Sequence, residues 1–152
     1  MPKSVQLLIC PEAEADLYAY RRGRDGAVVR IIRGQRCCVI DRCMGEWAAA
    51  LQFPYCFEPT WESFRQSLRD SRLAPGKSLL LIITSANRVL PRAKADFVQL
   101  MQALDQYSTM PSAPAPLEIV LHTQTRDAEE VQNRLVSAAI EFSTMDVSER
   151  LK

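Results

Sequence analysis

Hydrophobic positions along the chain fall into two kinds of run. Short continuous runs have the length of strands: "SVQLLIC" at 4–10, "AVVRIIRG" at 27–34, "SLLLIITS" at 78–85 and "LEIVLHT" at 117–123. The run at 78–85 is apolar without alternation, as expected of a strand covered on both faces and therefore of a parallel sheet. Elsewhere apolar residues recur at helical spacing. Met44, Trp47, Ala48 and Leu51 share one face, with Asp41 as an N-cap and Pro54 just beyond the end. Trp61, Phe64, Leu68 and Leu73 form a second stripe behind a capping Thr60, and Glu62, Gln66, Arg69 and Asp70 point away from it. Phe97, Leu100, Met101 and Leu104 give a third helix, opened by Pro91. Val131, Leu135, Ala138 and Phe142 give the last one, with Asp127 and Glu130 at capping-box spacing. A further helix over 11–23 starts at Pro11, with acids in its first turn and arginines in its last, as the helix dipole prefers.

Breakers separate these elements. Gly34 and Gln35 offer a hairpin turn, with "CCVI" at 37–40 as a short return strand. "APGK" at 74–77 interrupts the chain, "YSTMPSAPAP" at 107–116 is a proline-rich connector, and the tail "DVSERLK" is polar enough to fray. The order is strand, helix, strand, paired helices, strand, helix, strand, helix. It predicts an α/β fold: a small, mainly parallel sheet covered by helices, without internal repeats.

Bulk properties narrow the function classes. A chain of 152 residues fits one domain with a real core, and 47% hydrophobic with 24% charged residues is an ordinary globular balance. The net charge of +1 argues against a dedicated nucleic-acid binder. Arg21, Arg22, Arg24, Arg30, Arg33, Arg36 and Arg42 make the first third locally basic. They read as solvated strand edges and turns, because the aromatics and glycines of single-strand RNA binders are missing there. The opening "MPKSVQLLICPEAEADLY" holds an apolar run too short for a signal-peptide core or a membrane span, which places the protein in the cytoplasm and away from membranes. Cys10, Cys37, Cys38, Cys43 and Cys56 are odd in number, contain no CxxC pair and read as free thiols, with no metal or cofactor implied. Neither a phosphate loop nor GxSxG nor HExxH occurs. His122 is the only imidazole and lies at a strand end, where a structural role is the simpler reading than a Cys–His nucleophile pair.

The stretch "LQFPYCFEPTWESFRQSL" at 51–68 carries a resemblance. A helix ends at Phe53 and Pro54, a short aromatic loop follows, a second helix has Trp61 at its first turn, and a buried strand comes next. Taken with "VVRIIRGQRCCVIDRCMGEWAAA" before it and "LLLIITSANRVL", "KADFVQLMQAL" and "LEIVLHT" after it, this run resembles the barstar family over about 28–123. Members of that family are small intracellular inhibitors of ribonucleases. The resemblance implies a bacterial immunity protein or antitoxin, not an enzyme, that plugs a toxin enzyme such as a ribonuclease. It implies one domain over 1–152, with an N-terminal strand and helix and a C-terminal helix added to the family core.

By the same resemblance the contact surface is Tyr55, Phe57, Glu58, Thr60, Glu62, Gln66, Arg69 and Asp70. Phe57 and Trp61 serve the core first, as loop aromatics beside a helix stripe do. Glu62 matches the family's first helical acid. Glu58 and Thr60 stand where the family has glycine and asparagine, and Gln66 stands where its central acid enters the ribonuclease. The negative face that meets basic catalytic residues is therefore diluted here. Two other classes compete: a regulatory or structural subunit that uses the same face without inhibiting, and an enzyme or nucleotide-binding domain with a site near Ser85, Asn87 and His122.

Overall fold

The computed structural model describes residues 5–70, 78–108 and 117–145. Leu73, the break at 74–77, most of the proline-rich connector and the polar tail lie outside the described residues. Five strands form one sheet in which every pair is parallel: β1 Val5–Ile9, β2 Val28–Arg33, β3 Leu79–Thr84, β4 Leu117–Thr123 and β5 Ser143–Met145, in the order β2-β3-β4-β1-β5. Between them run α1 Glu12–Arg24, α2 Ile40–Leu51, α3 Trp61–Arg69, α4 Lys94–Ser108 and α5 Ala128–Ser137. The fold is α/β, as the run pattern predicts.

The unbroken apolarity of β3 has a direct cause. All six of its residues are buried, because the strand has helices on both sides. Leu79, Leu81 and Ile83 join Trp47, Phe64, Leu100 and Val131 in the larger cluster. Leu80 and Ile82 join Tyr18 and Ala19 of α1 in the smaller one. Each fully buried leucine or isoleucine contributes about 2 kcal/mol relative to exposure, so this strand is a main source of stability. The short polar β5 had no hydrophobic run to announce it. It pairs with β1 through only Gln6, Leu7 and Leu8.

Several boundaries differ from expectation. Residues 34–40 do not form a hairpin: β2 is already paired in parallel with β3, and the chain turns at Gly34–Arg36 through a single 3-10 turn. Cys37 enters the core, and α2 begins at Ile40 behind an extended Val39. Asp41 therefore lies inside the first turn, near the positive end of the helix dipole, and does not cap. Pro91 precedes α4 by a short turn and does not open it. Asp127 holds the N-cap place of α5 without a side-chain bond, since a 3-10 turn at Thr125–Asp127 runs straight into the helix and denies it the extended cap conformation. Phe142 lies beyond α5 and packs half-buried against the core.

One ion pair ties the edge strand to α2. Arg33 donates to Glu46 from its backbone N at 3.1 Å, from Nε at 2.9 Å and from a terminal nitrogen at 3.2 Å. The hydrogen bond from the Arg33 side chain, opposed by desolvation, holds the Glu46 carboxyl below its ordinary value of 4.5. A depressed carboxyl pKa adds stability that is present in full above the unfolded-state value and is lost as pH falls through the folded-state value. Acid titration of Glu46→Gln, followed by thermal melting, should show a shallower loss of stability below pH 4.5 than the parent chain. Identical acid limbs would remove this pair from the account.

Candidate partner-binding surface

The path from α2 to α3 is set by aromatic packing. Gln52 leaves α2 in the left-handed region at φ 53°, turning the chain sharply. Phe53 then packs on Phe57 at 5.1 Å and on Phe64 at 5.7 Å between ring centroids. Phe64 also meets Trp61 at 5.4 Å and Trp47 at 5.6 Å, both edge to face. Phe57 N donates to the Pro54 carbonyl at 2.9 Å, closing a turn with Tyr55 and Cys56 at its tip. Tyr55 is consequently fully exposed, at 104%, while Phe57 is half-buried with its ring against Phe53.

Thr60 caps α3. Its Oγ1 accepts from Ser63 N at 3.2 Å, and Ser63 Oγ accepts from Glu58 N at 3.1 Å. The pair resembles a capping box with serine as the returning side chain, except that Ser63 accepts from Glu58 N and not from the N–H of the cap residue. Thr60 N also donates to the Glu58 carbonyl at 2.7 Å. Loop and helix start are thus held by their own hydrogen bonds.

Opposite sides of α3 have different work. On the inner side Trp61 Nε1 donates to Asp96 at 2.9 Å and Arg65 donates to Gln99 at 2.8 Å, fastening α3 to α4. Glu62, Gln66, Arg69 and Asp70 are all exposed on one outer face. Gln66 sits in the middle: its Nε2 donates to Asp70 at 2.9 Å and its Oε1 accepts from Arg69 at 3.0 Å. With Arg65 turned toward α4, the outward charges are Glu58, Glu62 and Asp70 against Arg69. Asp96, Gln99 and Ser63 do not stand out in the sequence. The first two act across 34 to 35 positions, and a serine three residues after a cap is an uncommon pairing.

The alternative site near Ser85, Asn87 and His122 is built as a structural joint. His122 is fully buried, its Nδ1 accepts from Ser85 N at 3.2 Å, and its Nε2 donates to the Cys10 carbonyl at 2.9 Å. Both ring nitrogens are committed to backbone. The nearby Cys10 offers a carbonyl to the ring, and burial, with help from Glu14, pushes its thiol up to about 11, far from a thiolate at neutral pH. Asn87 is half-exposed beside this joint. Among the described residues no group of three or more His, Cys, Asp or Glu is placed to hold a metal ion, and no helix is long and apolar enough to cross a membrane.

Comparisons with known proteins complete the picture. No curated protein matches the chain in sequence. Among solved structures, Drosophila ORC bound to DNA superposes with a TM-score of 0.62 at 11% identity, covering 97% of this chain and 26% of that one. Drosophila ORC bound to GC-rich DNA and Cdc6 gives 0.60 at 13% identity, covering 94% of this chain and 25% of that one. The chain spans about a quarter of those chains, and such identities show a shared fold alone. The family described as Barstar (barnase inhibitor) matches residues 27–122, which run from the start of β2 through the aromatic loop and α3 to His122 at the end of β4. On that match, spanning the sheet centre and the whole candidate surface, the chain belongs to the barstar family.

Proposed function

We propose that this protein is a barstar-like inhibitor or immunity protein that binds and blocks a toxin enzyme, with ribonucleases as the first candidate class, through the loop and helix at 55–70. The observation that carries this reading is a rigidly backed, outwardly unused surface. Tyr55 stands fully exposed on a loop pinned by four aromatic rings, beside the exposed face of α3. A surface held in place before binding loses little entropy on association. A fully exposed tyrosine is the kind of side chain that dominates interface energies. Family membership supports the role, since the family is described by its barnase inhibitor. The same reading takes the chain as one domain, with β1, α1 and the C-terminal elements added to a core at 28–123, acting in the cytoplasm.

A second reading is favoured by Gln66. A neutral amide, already bonded to Arg69 and Asp70, occupies the centre of the face. A regulatory or structural subunit that grips a permanent partner without inhibiting it would need nothing more. Capture of the partner by the full chain, followed by hydrogen exchange of the complex, tests the surface. Protection concentrated at 55–70 is expected. Protection confined to α1 or α5 would move the interface elsewhere. Rate measurements separate the two readings: an electrostatic inhibitor associates fast and slows with salt, whereas a permanent subunit does not.

A further inference from the structure

β2 is the outermost strand on its side of the sheet, paired with β3 and, among the described residues, with no strand beyond it. Val28 N donates to the Ser78 carbonyl at 3.0 Å, which sets the parity of the ladder. Val28, Arg30 and Ile32 turn their backbone groups to β3, and Val29, Ile31 and Arg33 turn theirs outward. At Arg33 the outward N–H is taken by the Glu46 carboxylate at 3.1 Å. Among the described residues no such partner meets the outward groups of Val29 and Ile31. Side chains divide the edge by face. Val28 and Ile32 pack on the α2 side, so Arg30 between them lies on that side too. The Arg30 Nε is buried without a hydrogen-bond partner, and Arg30 joins no salt bridge among the described residues. Glu46 is committed to Arg33 through three bonds. Ile31 lies on the α1 side with Val29 and is 42% exposed.

We propose that the outer edge of β2 accepts an extended acidic segment of another protein as an added strand, about five residues long, with acidic side chains beside Arg30 and apolar ones beside Ile31. Backbone pairing with Val29 and Ile31 supplies the attachment. The pleat sets the side chains of neighbouring strands on matching faces, so an alternating acidic and apolar pattern fits Arg30 and Ile31 together. An acidic side chain also gives the Arg30 guanidinium an acceptor. A second copy of β2 is a poor occupant, because its own Arg30 and Arg33 would bring like charge to this edge. The added strand ends where Glu46 covers Arg33 N. The inference does not rest on the inhibitor reading, since no residue of 55–70 takes part.

The test is titration of the full chain with the capped heptapeptide EVEVEVE, read by amide hydrogen exchange at Val29 and Ile31. The capped peptide KVKVKVK, of the same pattern and opposite charge, is the parallel probe. Saturable slowing of exchange at both amides is expected with the glutamate peptide, at a dissociation constant on the order of 1 mM, and none with the lysine peptide. Arg30→Gln should weaken binding about tenfold, the loss of one charge-assisted contact. Ile31→Pro removes the outward N–H and spares the ladder to β3, and it should abolish the protection read at Val29. If that variant fails to fold, Arg30→Gln and the lysine peptide decide alone. Equal protection by the lysine peptide, unaltered affinity in Arg30→Gln, or shifts at Arg30 without protection at Ile31, the mark of bare charge attraction, would overturn the proposal.

Discussion

Gln66→Arg and Glu62→Lys are each expected to weaken partner binding more than 100-fold, a loss of about 3 kcal/mol or more, while leaving the fold intact. The size follows from position. Gln66 occupies the centre of the exposed α3 face, and a residue at the centre of an interface is most fully shut off from water when the partner docks. Arginine there has no acceptor for Arg69, so that bond is lost, and it would place a second cation beside Arg69. A face of three acids and one base would become one of three acids and two bases, which also slows association with a basic partner. Glu62 lies in the first turn of α3, so lysine gives up a favourable dipole contact of about 0.5 kcal/mol and little else. Both side chains are exposed, and such substitutions seldom shift stability by more than about 0.5 kcal/mol. Binding by titration calorimetry and melting by circular dichroism therefore separate contact from folding. Retained affinity in both variants would show that the partner docks elsewhere.

Gly34→Ala should be the most damaging small substitution in the sheet. A Cβ built at Gly34 would lie 2.2 Å from the Thr84 carbonyl oxygen and 2.3 Å from that of Ser85. Both obstacles are backbone, so neither can swing aside. The far side of the contact is already constrained, with Ser85 in the left-handed region at φ 49° and its N–H committed to His122. Relief requires the ends of β2 and β3 to separate. The expected cost is about 3 kcal/mol or more, at the upper end for overpacking, which lowers the melting temperature of a chain this size by roughly 6–12 °C. Gly45→Ala is the counterpart. It sits exposed in α2 with nothing within 4 Å of its Cβ, and replacing a mid-helix glycine should stabilise by about 0.5–1 kcal/mol. Opposite shifts from the same chemical change would establish close backbone approach as the cause. A neutral Gly34→Ala would contradict the packing at the 3-10 turn.

How far the fold was legible depended on whether each signal was local. The β3 strand, the Met44, Trp47 and Leu51 stripe, and the Thr60 cap are written in neighbouring residues, and all three stand as read. The hairpin at 34–40 failed because a Gly-Gln pair cannot reveal that β2 has a parallel neighbour 51 positions away, from Val28 to Leu79. β5 escaped notice because three polar-edged residues are held by β1 and not by their own propensity. Within the candidate surface, the outward set of Glu62, Gln66, Arg69 and Asp70 follows from helical spacing. That Arg65 turns to Gln99 and Trp61 to Asp96 depends on where α4 lies, which no local pattern encodes. The stacking of Arg134 on Phe97, 3.8 Å above the ring, had no sequence signal at all, since the two meet across 37 positions.

The central claim is inhibition through the 55–70 surface, and the most direct measurement is the activity of the captured partner enzyme titrated with the full chain. The account predicts a fall in activity to an endpoint at one chain per enzyme, and no such fall with the Gln66→Arg chain. A partner that retains full activity at saturating chain would contradict it and leave the structural-subunit reading in its place.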